Sequence, residues 1–167
     1  MAVDRRPKFL AFAVCLTASS MVSSPQLNKL PISDAPYPLD TVKVLSCVFP
    51  VSVETAWQNG EPRPEIAHRG DALALTFDQI DAQGGSARMS GGAFGPADIV
   101  AQLAGNSLHF LESSPTGSLS VTTVFGRRSP DGKLAAVYTR TEYLPTNMAG
   151  VVREPAVSQH YGSCDVK

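Results

Sequence analysis

The sequence predicts an all-β fold: one small antiparallel β-barrel or meander, with a β-sandwich as the alternative. Three observations carry this. Apolar and polar residues alternate with period two over short runs. Turn residues punctuate those runs at intervals of about 8–14 residues. No segment holds an apolar stripe of helical period across ten or more residues.

From Thr41 the alternation begins, with Leu45, Cys47 and Phe49 on one face and Val44, Ser46 and Val48 on the other. Pro50 is expected to end this strand or to mark an edge. Thr55-Ala56-Trp57 runs into Asn59-Gly60, a strong hairpin signal. Residues 61–70, with Pro62 and Pro64, read as loop. Residues 72–80 alternate again, with Leu73, Leu75 and Phe77 inward, and Gly84-Gly85 turns the chain. Short strands follow over 86–90, with Ala87 and Met89 on one face, and over 98–103, where Ile99-Val100 favours strand over helix. Leu108 and Phe110 share a face of the next strand. Residues 118–125 align Leu119, Val121 and Phe125. Ser129-Pro130-Asp131-Gly132 is a turn, because proline presets φ and glycine accepts a left-handed conformation. Residues 133–143 place Leu134, Ala136, Tyr138 and Arg140 on one face. Residues 144–163 are broken by Pro and Gly and return the chain to Cys164.

The N-terminus reads differently. Arg5, Arg6 and Lys8 precede the apolar run Phe9 to Ala18, followed by small residues at Ala18-Ser19-Ser20. This is the pattern of a secretory signal peptide over residues 1–20. The run is about half of the ~20 residues needed to cross a bilayer as a helix, so no stable membrane insertion is expected. Two variants stay open: a twin-arginine signal at Arg5-Arg6, and a lipidated Cys15. Residues 21–40, with Pro25, Pro31, Pro36 and Pro38, are expected to be an extended linker ahead of a domain spanning 41–167.

Cleavage would settle the cysteines. Cys15 would leave with the leader, and Cys47 and Cys164 would meet an oxidising compartment, periplasmic or extracellular, where a disulfide forms. Charge excludes one class of partner. Of 14 basic and 15 acidic residues, the leader takes three and one, leaving 11 against 14. No basic patch remains to favour nucleic acid.

Candidate chemistry is thin. His68, His109 and His160 match no metal-ligand spacing, and neither a metal nor a cofactor is expected. Asp78 and Asp81 precede a glycine turn and read first as turn formers. No Gly-x-Ser-x-Gly elbow is present, and the glycine clusters lack the helix and lysine of a phosphate loop. Trp57, His109, Tyr138 and Arg140 are the candidates for lining a ligand site.

The segments Ala87-Arg-Met-Ser-Gly-Gly-Ala-Phe-Gly95, Leu108-His-Phe-Leu-Glu112, Val121-Thr-Thr-Val-Phe125, Tyr138-Thr-Arg140 and Ser158-Gln-His-Tyr-Gly-Ser-Cys164 resemble a diffuse group of small exported bacterial β-domain proteins. The resemblance spans about residues 44–164. It implies a secreted β domain with a cysteine pair joining its N- and C-terminal parts, and it brings no activity and no catalytic residues. Lipocalin-like and lysozyme-inhibitor barrels are analogues in architecture alone. The function expected is an exported, non-catalytic binding protein for a small apolar molecule or an envelope protein. The alternatives are a hydrolase or isomerase using His109 with Asp78 or Asp81, and a structural envelope component.

Overall fold

A computed structural model describes residues 35–92, 95–115, 117–142 and 155–167. The leader with Cys15, and Tyr143 at the end of the strand expected over 133–143, lie outside them. Eight strands follow in chain order: β1 Leu45–Gln58, β2 Glu61–Asp81, β3 Ser86–Ser90, β4 Ala97–Ala104, β5 Ser107–Ser113, β6 Leu119–Arg128, β7 Leu134–Glu142 and β8 Ala156–Val166. Each pairs antiparallel with the next, and β8 pairs with β1, so the meander closes into a barrel and the sandwich alternative falls. Closure removes sheet edges along the barrel wall.

Three segments depart from the sequence expectation. Pro50 neither ends β1 nor marks an edge. The register shifts beside it on both flanks, between Phe49 and Val51 against β2 and between Val48 and Val51 against β8. A residue in a bulge has no ladder bond to lose, so a proline is tolerated there. Residues 61–70 are strand, not loop. Asn59 (φ 56°) and Gly60 (φ 79°) form a two-residue turn, and β2 runs back along β1 with Pro62 opposite Trp57 and Pro64 opposite Thr55. The pair next to such a turn, Gln58 opposite Glu61, is hydrogen-bonded, so the prolines occupy non-bonded positions. Their missing donors face outward, where β3 does not reach, because its pairing starts at Thr76. The third is β8, where irregular chain was expected.

The face of β6 is also reversed. Ser120, Thr122 and Val124 are buried, whereas Leu119 and Phe125 stand 44% and 39% exposed. Register dictates this. Thr122 lies between Phe110 of β5 and Tyr138 of β7, both inward, and a strand's faces follow those of its neighbours.

One end of the barrel is packed shut. Leu45, Phe77, Leu108, Val124 and Leu134 are buried there, with Phe77 stacked on Phe110 at 4.1 Å between ring centres. A bulge at Gln79 (φ 52°) turns Ile80 inward as well. Cys47 and Cys164 face each other across β1 and β8 and are disulfide-bonded, with 4.0 Å between Cα atoms and 117 residues of separation. Residues 35–44, which include the end of the expected linker, lie against this end. A 3₁₀ turn at Leu39–Thr41 buries Leu39, and Val42 is buried beside it. The Tyr37 amide donates to the Gly126 carbonyl at 2.8 Å, and the Arg128 guanidinium sits 4.3 Å from the Tyr37 ring centre. A Cβ on Gly126 would crowd the Asn106 and Tyr37 carbonyls, at 3.0 and 3.1 Å, so a side chain there would push this segment outward by a few tenths of an ångström.

Candidate functional site

Among the described residues the opposite end is open, and one of its inner walls is polar. Register builds that wall in two rows. Ser52, His160, Tyr138 and Thr122 are neighbours across β1, β8, β7 and β6. Glu54, Ser158, Arg140 and Ser120 form the next row toward the mouth. On the β2 side, Leu73 presents an apolar group to the same space, with Leu75 buried below it.

Between the walls lies a cavity of about 520 Å³. Glu54, Asp71, Tyr138, Arg140, Glu142 and His160 supply its polar surface, and Leu73, Ala156 and Val157 its apolar surface. Bulges place the two acids from β1 and β2. The shift at Pro50 turns Ser52 and Glu54 inward, where plain alternation from Phe49 would have turned Val51 and Val53 inward. In β2, four residues between His68 and Leu73 face a single residue of β1, and Asp71 is one of them.

The polar groups hold one another in place. The Tyr138 hydroxyl is 3.0 Å from Ser120 Oγ, and its ring meets the His160 ring edge-on with centres 5.5 Å apart. Arg140 donates to Glu142 at 2.7 Å, a pair whose side chains are only 26% and 30% exposed. Ser52 is 1% exposed, and its hydroxyl has no hydrogen-bond partner among the described residues. Among the described residues, the carboxylates of Glu54, Asp71 and Glu142 and the guanidinium of Arg140 line the mouth.

Of the residues singled out in the sequence, Tyr138 and Arg140 line this cavity. Trp57 does not: it lies opposite Pro62 on the β1–β2 hairpin, with its indole N–H buried and without a partner among the described residues. His109 is on the outer face of β5, its Nδ1 3.0 Å from Thr123 Oγ1 on β6. Asp81 binds its own turn, accepting from the Gln83 and Gly84 amides at 3.2 and 2.8 Å. Asp78 sits opposite Arg88, which sits opposite Asp98. His109 on β5 is therefore three strands from Asp78 on β2, roughly 14 Å at the usual strand spacing. The fold does not bring His109 and these acids together. Sequence reading missed Glu54, Asp71, Glu142, Ser158 and His160 as a group. One usable signal existed: counting back by twos from Cys164 puts Gly162, His160 and Ser158 on its face.

Among the described residues, no group of three or more His, Cys, Asp or Glu side chains is placed to hold a metal ion. Nor is any helix among them long and apolar enough to cross a membrane. No family model, curated protein or solved structure matches this chain.

Proposed function

We propose that this is an exported, non-catalytic binding protein that holds a small molecule in the open end of its barrel. The carrying observation is the cavity of about 520 Å³ over a packed floor. That size falls within the roughly 300–1,000 Å³ range of ligand pockets. Its mixture of apolar wall and a few fixed polar groups is also what such pockets use to orient a ligand. The polar row favours a ligand with a polar head over a wholly apolar one. Export is supported by the basic-then-apolar leader and by the Cys47–Cys164 bond, which suits a periplasmic or extracellular compartment.

Native mass spectrometry of protein purified from its own host tests this. A small-molecule adduct is expected on the wild type and not on Ser158→Trp, which fills the mouth. An adduct that survives Ser158→Trp, or none on the wild type, contradicts the reading.

One observation favours an envelope protein as a second reading. On the outer face, Val100, Leu111 and Val121 are aligned across β4, β5 and β6, and Val100 is 54% exposed. A photo-crosslinker at Val100 would then capture one specific protein in the host. Labelling of that site by solvent alone speaks against it.

A further inference from the structure

We propose that the Asn59-Gly60 turn is a self-modification site, at which the Asn59 side-chain amide is lost through a cyclic imide to leave aspartate or isoaspartate. This goes beyond the reading of the mouth and does not rest on it.

The two residues supply the chemistry themselves. The Gly60 backbone nitrogen attacks the Asn59 side-chain carbonyl carbon and closes a five-membered imide. The carbon–nitrogen bond of the Asn59 amide breaks, and its NH2 leaves as ammonia with the proton given up by the Gly60 nitrogen. Water then adds to one of the two imide carbonyls and opens the ring. Opening at the side-chain carbonyl gives aspartate. Opening at the main-chain carbonyl gives isoaspartate, with the chain now running through the side chain. Water is the only co-reactant, and no oxidation state changes. Glycine suits the attacking position because no Cβ shields its nitrogen.

Placement is the second support. Among the described residues, β1 pairs with β8 only as far as Thr55, opposite Val157, and β2 pairs with β3 only from Thr76. Within the same residues, Trp57 and Gln58 pair only with Pro62 and Glu61, so the turn sits on a two-stranded tip. Such a hairpin is marginally stable by itself, so the tip opens at a lower free energy than the barrel. Opening is what the reaction needs. With φ positive at both Asn59 (56°) and Gly60 (79°), the turn is of the mirror-image type, and the peptide between them must rotate before the ring can close. Both residues are exposed, and a Cβ on Gly60 would meet nothing within 4 Å, so the described residues do not obstruct that rotation.

Asn106 is the control within the same molecule. It too lies in a two-residue turn, Gly105-Asn106, between Ala104 and Ser107. Its carbonyl accepts from the buried Gly126 amide at 2.7 Å, and Ser107 pairs with Phe125. The peptide that would have to rotate is held from the neighbouring strand.

The test is to age the oxidised, folded protein in mildly alkaline buffer, digest it, and compare its asparagine peptides with those of an unaged sample by mass spectrometry. The Asn59 peptide should gain the mass of an NH2-to-OH exchange and react in an isoaspartate-methylation assay, with the Asn106 peptide lagging behind it. Asn59→Gly, which keeps a residue suited to the turn, should show neither change on that peptide. An Asn59 peptide that stays unchanged in the folded protein overturns the proposal, even if it converts in urea, because the turn would then protect its asparagine. Conversion of Asn106 as fast as Asn59, or a mass gain that persists in Asn59→Gly, overturns it as well.

Discussion

At the closed end of the barrel the strands point Leu45, Phe77, Phe110 and Leu134 at one another, and a disulfide ties the first strand to the last. At the open end β1, β6, β7 and β8 point Ser52, Ser120, Arg140 and His160 into the lumen and leave space between the described residues. β7 shows both regimes within nine residues, from Leu134 and Ala136 to Tyr138 and Arg140. The closed end holds the stability, and that frees the open end to carry polar groups a small core could not otherwise accommodate. Burying polar side chains is tolerable where hydrogen bonds or water reach them.

Four substitutions or conditions test that contrast, in falling order of effect. Phe110→Ala removes half of the stacked pair at the packed end and should cost about 3–5 kcal/mol in urea denaturation. Loss of the Cys47–Cys164 bond by double Ser substitution should cost about 2–5 kcal/mol. The chain-entropy ceiling for its loop is about 4.9 kcal/mol. At the open end, Tyr138→Phe deletes the bond to Ser120 and should cost only about 0.5–1.5 kcal/mol. A larger loss there would mean that the mouth, too, is structural core.

The smallest effect is on pH, and it belongs to the turn after β6. The Lys133 amino group is held above its ordinary value, first by its hydrogen bond to Asp165 at 3.0 Å and then by that carboxylate's charge. Its contribution is complete below the unfolded value near 10.5 and is lost as pH rises through the higher folded value. Asp131 runs the other way. The Ser129 hydroxyl donates to it and lowers its pKa. Its contribution is present above the unfolded value of 3.8 and is lost as pH falls through the lower folded one. Lys133→Gln should flatten chiefly the alkaline limb of a stability–pH profile and Asp131→Asn chiefly the acid limb, since each charge also acts weakly on the other group.

The closed end was legible in the sequence and most of the open end was not. Leu45, Cys47, Phe49, Leu75 and Phe77 alternate cleanly because both strands run unbroken over that stretch. The cysteine pair followed from export logic. The open end hides behind bulges. A residue inserted at Pro50 changes the phase, so Ser52 and Glu54 take places that counting from Phe49 assigns to valines. β8 carries no sustained apolar stripe, since Ser158, His160 and Gly162 occupy its inward face ahead of Cys164. Gly162 is required there: a Cβ would lie 2.0 Å from the Val48 carbonyl oxygen. In β6 the apolar set Leu119, Val121 and Phe125 has the same period as Ser120, Thr122 and Val124. Only the register with β5 and β7 decides between them. Tyr138 and Arg140 were found because their strand begins with a strong apolar phase at Leu134 and keeps it.

The most direct test is an experimental structure of the protein isolated from its own host. The account predicts a bound small molecule in the mouth, bounded by Glu54, Asp71, Tyr138 and Val157, above an unbroken Phe77–Phe110 stack. A mouth filled by the protein's own side chains, or a ligand lodged where that stack should be, would contradict it.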